Sequence, residues 1–140
     1  MSLVVLRFGF RDMTTGTWSE DEPSVDIASV DDLERFIDFA EKIAEMPIAI
    51  SVEVHGYRVD LLAGHGLSFV HLTPEDHDKP CYVTVGGPPE GGVDFWLHSW
   101  HHTWFENRHL VPKALAREAF RVFFETGRFS PVVEWEQYIA

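Results

Sequence analysis

The sequence predicts an α+β domain, one antiparallel sheet of about five to seven strands with two helices packed on it. Three observations carry this. Two stretches, one opening at Ser29 and one following Pro112, repeat apolar residues at helical spacing. Between them lies a series of short segments rich in Val, Ile, Phe, Tyr and Trp. Glycine and proline punctuate that series at hairpin intervals, which argues against βαβ crossovers. The 140 residues, 45% of them hydrophobic, fit a single domain over 1–140 that supports its own core.

The elements follow in order. Leu3, Val4, Val5, Leu6 and Phe8 form a first strand, and Arg11 to Pro23 reads as a polar loop. Trp18, inside that loop, is expected to pack back on the core edge, with an exposed contact residue as the other reading. Ser29 can cap a helix by accepting a bond from a free N–H, with Asp32 at the reciprocal capping position. Leu33, Phe36, Ile37, Ala40, Ile43 and Ala44 make its buried stripe; Asp38, Glu41 and Glu45 face water, and Pro47 ends it. Ile48 to Val54 and Tyr57 to Leu62 pair across a His55-Gly56 turn. Further strands are expected at Leu67 to Leu72, Tyr82 to Val85, Val93 to Trp100 and Thr103 to Glu106. GGPPEGG is a long hairpin connection, since it lacks both the GxGxxG pattern and a Walker lysine. Cys81 reads as a small buried strand residue.

The second helix enters through Leu110, Val111 and Pro112, and proline suits a first turn. Leu115, Ala116, Ala119, Phe120 and Phe123 form its apolar stripe, and Gly127 suits a left-handed cap. Val132, Val133 and Trp135 form a short terminal strand, with Trp135 expected to be buried against the helix.

Charge and chemistry narrow the function. Against 11 basic side chains stand 23 acidic ones, a formal net charge of −12. Such a chain repels nucleic acid and anionic membrane, and it either attracts a basic protein or is simply very soluble. The start, MSLVVLRFGF, lacks a cationic leader and a cleavage site, and no apolar stretch is long enough to span a bilayer. A cytoplasmic location is therefore expected. His98, His101 and His102 raise a metal- or ligand-binding alternative, or an enzyme built on them. On one continuous strand, however, His98 and His102 would stand ~13–14 Å apart, too far to share an ion. There is no HExxH, no cysteine pair and no nucleophile elbow, so neither a catalytic residue nor a cofactor is assigned.

What remains is surface. Even spacing puts Trp96, Trp100 and Trp104 on one strand face, either as core or as an exposed aromatic strip. Bordered by Glu75, Asp76, Asp78, Glu90, Asp94 and Glu106, with Trp100 and Trp104 as anchors, such a strip suits a basic protein partner.

The C-terminal quarter also resembles the immunity protein 1 family of bacterial polymorphic toxin systems. The shared pieces are Leu110-Val111-Pro112, a helix bearing Ala116 and Ala119, the exit Phe123-Phe124 with Thr126-Gly127, then Pro131 and Trp135. Arg128, Phe129 and Ser130 separate Gly127 from Pro131, a wider gap than the family pattern. The resemblance implies a non-enzymatic cytoplasmic inhibitor, monomeric when free. It would cover the active site or substrate groove of a cognate toxin, a nucleic-acid deaminase ahead of a nuclease.

Overall fold

The computed structural model describes residues 4–7, 24–43, 48–64, 66–98 and 101–138. In chain order these form β1 (Val4–Arg7), β2 (Ser24–Ile27), α1 (Val30–Ile43), β3 (Ile48–Val54), β4 (Tyr57–Ala63), β5 (Leu67–Ser68), β6 (Val70–Pro74) and β7 (Cys81–Val85). There follow β8 (Gly92–His98), β9 (His101–Glu106), a 3-10 turn (Asn107–His109), β10 (Val111–Pro112), α2 (Lys113–Thr126) and β11 (Glu134–Tyr138). The α+β class stands. Seven strands run antiparallel in the order β11-β7-β6-β4-β3-β1-β2. The β8–β9 hairpin joins β3 through one parallel pair, Ile48 with Trp96, and β5 pairs with β10 in a separate ribbon. Trp18 lies outside the described residues.

Both helices cover one face of this sheet. The Ser29 cap forms as predicted: its Oγ accepts the Asp32 N–H at 3.2 Å, and its carbonyl accepts from Leu33. Leu33, Ile37 and Ala40 are sealed, while Phe36 is half-buried. The carboxylates expected to face water do more than that. Arg117 of α2 donates to Glu34 and to Asp38, the latter at 2.8 Å, and Glu41 accepts the Gly64 N–H at 2.9 Å. Ala44, Glu45 and Pro47 lie outside the described residues.

α2 begins at Lys113, with Pro112 as its extended cap rather than its first turn, because Pro112 is also held opposite Leu67 in the β5–β10 ribbon. Ala116, Ala119, Phe120 and Phe123 are buried; the two alanines leave room for the helix to settle close to the sheet. Leu115 departs from the expected stripe. It is 39% exposed, and Phe124 is buried instead. Gly127 takes the left-handed cap at φ 72°, donating to the Phe123 carbonyl at 2.8 Å. The β3–β4 turn reaches the same helix end. His55 and Gly56 both have positive φ, as a two-residue hairpin requires, and His55 Nε2 lies 3.0 Å from the Phe124 carbonyl.

Two further expectations change. Leu67 to Leu72 is not one strand: the chain crosses at Phe69 from the β5–β10 ribbon into the main sheet. Ser68, Phe69 and Val70 are all buried, which a flat alternating strand with one wet face cannot do. At the crossing, side chains replace ladder partners. Ser68 Oγ donates to the Leu62 carbonyl at 2.6 Å, and the Val70 N–H donates to Thr84 Oγ1 at 3.2 Å. Trp135 is half-buried rather than buried. Its strand, β11, is the edge of the sheet, so one side of the indole packs on the core and on Phe129, 5.1 Å away, while Nε1–H donates to the Ser130 carbonyl.

Ser29→Ala is expected to lower stability by about 1 kcal/mol through the lost cap. Trp135→Ala should cost about 1–3 kcal/mol, below the range for a fully enclosed aromatic. Urea denaturation of both variants checks the pair of values; a larger loss for Ser29→Ala than for Trp135→Ala would contradict the packing just described.

Candidate functional site

Residues alternate across a strand, so the helix-covered face implies a second one. Ile50, Val52, Val59, Leu61, Val70 and Leu72 point to the helices. Their neighbours Ala49 and Leu62 point the other way, into a smaller cluster with Phe69 and Leu110, joined by Val93 and Phe105 from the β8–β9 hairpin. The hairpin thus covers one end of the second face. Further along, cross-strand register lines up Ser51, Asp60, His71, Val83 and Glu136, one from each of five adjacent strands.

Asp60 is the buried polar centre of this row, 1% exposed. Ser51 donates to its Oδ1, Arg58 Nε to its Oδ2 at 3.3 Å, and His71 Nδ1 stands 3.5 Å from Oδ2. Burial pushes the carboxyl's pKa up, but the bonds from His71, Arg58 and Ser51 more than offset it and hold the group below the usual range. Ser51 and His71 both bind the carboxylate. A serine nucleophile needs the histidine between the two. The arrangement organises the sheet rather than activating a hydroxyl.

The end of the row carries a second polar group. The 3-10 turn docks on the glycine-rich connection: Gly86 and Gly87 N–H donate to the Arg108 carbonyl at 3.1 and 3.2 Å, and Asn107 N–H donates to the Gly91 carbonyl at 2.9 Å. Gly87 makes this approach possible, since a Cβ there would sit 1.9 Å from the Asn107 carbonyl oxygen. Gly92 does the same for Trp104, whose ring would lie 2.2 Å from a Cβ. Trp104 stays 57% exposed nonetheless. The docked turn aims Arg108 between two carboxylates. Its Nε donates to Glu106 at 2.9 Å and its Nη1 to both Glu136 oxygens at 3.1 and 2.8 Å. The Arg108 bond holds the Glu106 pKa below its ordinary value. His109, 8% exposed, stands beside them, and burial first, then Arg108, pushes its pKa down. Val83, Trp104, Phe105, Glu106, Arg108 and His109 line a pocket of about 280 Å³ here.

The predicted contact residues fall into two groups. Glu90, Asp94, Trp104 and Glu106 gather at this end: Asp94 pairs opposite Trp104 and Gly92 opposite Glu106, while the Glu90 carbonyl accepts from Asn107 Nδ2. Glu75, Asp76 and Asp78 lie in the exposed β6–β7 loop, tied to the other end of the sheet by Glu75 N–H donating to the Gly56 carbonyl. The chain reverses between β8 and β9, so His98 is the register partner of His101 and the ~13–14 Å straight-strand separation does not apply. Trp100 lies outside the described residues, as do the side chains of Trp96, His98, His101 and His102. Among the described residues no three His, Cys, Asp or Glu side chains are placed to hold a metal ion. Arg108, His109 and Glu136 were not singled out from sequence. Only the β11–β7 pairing brings Glu136 to the turn, and no local motif announces it.

The model of the family described as immunity protein Imm1 matches residues 21–137, taking in α1, the sheet from β2 onward and α2. No curated protein matches the chain.

Two outcomes are expected of this site. Asp60→Ala should cost about 3–5 kcal/mol at neutral pH by breaking a buried charge cluster from one side. The Asp60 carboxyl is lowered in the folded state, so its contribution is present above the ordinary carboxylate pKa and fades as pH falls through the folded value. The gap between variant and parent should therefore narrow in acid, measured by denaturant titration across pH. Gly87→Ala should cost about 1–3 kcal/mol by forcing the Asn107 carbonyl away; unchanged stability would mean the turn docks otherwise.

Proposed function

Because the chain belongs to the immunity protein Imm1 family, we propose that it binds and neutralises a cognate secreted toxin domain by covering that domain's active site or substrate groove. The family match carries this reading. The toxin acts on nucleic acid, a deaminase ahead of a nuclease, so its groove is basic and a chain at −12 complements it. The chain acts as a cytoplasmic monomer with no enzymatic step of its own; no helix among the described residues is long and apolar enough to cross a membrane.

Geometry supports the two ends of the second sheet face as the contact surface. Trp104 supplies an exposed aromatic anchor held over Gly92. Glu90, Asp94 and Glu106 surround it, and Glu75, Asp76 and Asp78 form an acidic rim beyond. The five residues of β7 separate the two ends, roughly 17 Å. A standard interface of about 800 Å² per partner is roughly 30 Å across, so one toxin domain can reach both.

The test is kinetic, with the toxin encoded beside this chain. Neutralising Glu75, Asp76 and Asp78 together should slow association, leave dissociation nearly unchanged, and flatten the fall of association rate with salt. Trp104→Ala should instead speed dissociation by about 30-fold, equivalent to about 2 kcal/mol. An association rate indifferent to salt would remove the charge component. Unchanged dissociation of Trp104→Ala would remove the anchor.

A further inference from the structure

We propose that β11 takes up one strand of the toxin domain along its outer edge, an extended segment alternating basic and apolar residues. This rests on the reading of the chain as a toxin-binding immunity protein, and it names how the two acidic groups are bridged.

β11 is the last strand of the sheet, and β7 is its one strand neighbour among the described residues. In an antiparallel pair every second residue turns its N–H and C=O away from the partner strand. β11 therefore carries hydrogen-bonding groups that no other described strand uses, and an added strand can pair with them. The edge is open to a partner. Glu134 and Gln137, one on each face of the sheet, are both exposed.

Register fixes what lies at each end of this edge. Glu134 pairs opposite Val85 and Tyr138 opposite Cys81. Toward the Glu134 end, Arg108 joins Glu136 to Glu106, which lines the pocket beside Trp104. Toward the Tyr138 end, Asp78, Lys79 and Pro80 lead from the acidic β6–β7 loop straight into Cys81. The five residues of β11 thus run from the Trp104 group to the Glu75–Asp78 group, roughly 17 Å. A strand laid on this edge reaches both.

The side chains of β11 define what the added strand carries. Glu136 lies opposite Val83 in the polar row of the second face, and Glu134, two residues earlier, shares that face. Trp135 lies on the helix face, its ring 5.1 Å from Phe129, which meets Tyr82 at 4.7 Å. Phe129 and Val132 are exposed beside it. Directly opposite residues of paired strands point to the same face. An added strand therefore sets one series of side chains beside Glu134 and Glu136 and the other beside Trp135. Lysine or arginine fits the first series, and apolar side chains fit the second.

A second copy of this chain fits less well. Two β11 strands paired about a two-fold axis at Glu134, Trp135 or Glu136 set glutamate opposite glutamate. Like charges directly opposite destabilise a strand pair. The two carboxylates that discourage self-pairing attract a basic strand.

The experiment is amide-resolved hydrogen exchange on the full chain, alone and bound to the toxin domain encoded beside it. In the free chain the β11 amides should alternate, those bonded to β7 exchanging slowly and those facing outward quickly. In the complex the outward amides should slow by about 100-fold or more, which erases the alternation. Glu134→Lys should weaken binding about tenfold by setting a cation against the basic series. Asp31→Lys makes the same change in net charge at the start of α1, which follows the opposite edge strand, and should leave affinity within about twofold. A toxin bound and neutralised while the outward β11 amides exchange as fast as in the free chain overturns the added strand and leaves the immunity reading standing. Equal affinity of Glu134→Lys and the parent overturns the basic series. Outward amides already protected in the free chain, and more so as its concentration rises, assign the edge to a second copy and overturn the toxin strand. No complex at all with the unsubstituted chain overturns both readings.

Discussion

The docking of the Asn107–His109 turn on the sheet depends on the missing Cβ of Gly87. With any side chain there, the Asn107 carbonyl oxygen would lie 1.9 Å from the added carbon, well inside van der Waals contact. Without one, the Asn107–His109 turn lies flat on the connection that follows β7, and the Arg108 carbonyl collects two N–H donors in a row. That docking is what carries Arg108 to Glu106 and Glu136, His109 under Phe105, and Leu110 into the smaller core. Leu110 then leads through Val111 into α2, so the same contact sets the start of the helix that covers the opposite face. A backbone-to-backbone contact of this kind cannot be shifted by rotating a side chain. It is well suited to holding a binding surface in one geometry.

The two faces of the sheet are stabilised by different physics. The helix face is sealed by apolar area, with Phe120 and Phe123 of α2 over Val59, Leu61, Val70 and Leu72. Among the described residues the β8–β9 hairpin packs on one end of the second face, and further along the centre of that face is a buried polar group, Asp60. A carboxylate gripped by Ser51, Arg58 and His71 ties three strands together in the observed register. It gives this face a fixed polar row leading to Glu136.

What could be read from the sequence was what short-range chemistry determines. The Ser29 cap, the Gly127 left-handed exit, the His55-Gly56 turn and the buried Cys81 each follow from a residue and its near neighbours, and each is found. Expectations failed where a position's role is set by pairing from afar. Leu67 to Leu72 looks like one strand until β10 claims its first two residues. Leu115 fits a helical stripe, yet it is exposed and Phe124 is buried in its place. The ~13–14 Å separation of His98 and His102 holds only on an unreversed strand, and β8 turns back into β9. The Arg108–Glu136 pair spans 28 residues of sequence and exists only because β11 returns to pair with β7.

The placement of charge links fold to recognition. A net charge of −12 spread evenly would give a uniform, unselective field. The helix layer instead compensates part of its own acidity. Arg117 takes Glu34 and Asp38, Arg121 takes Glu118 and Glu125, and Lys113 approaches Glu41. The β6–β7 loop carries Glu75, Asp76 and Asp78 against Lys79 alone, and the hairpin end adds Glu90 and Asp94. The helix side is thereby muted relative to the sheet ends, and the Arg117 salt bridges that fasten α1 to α2 are part of that compensation.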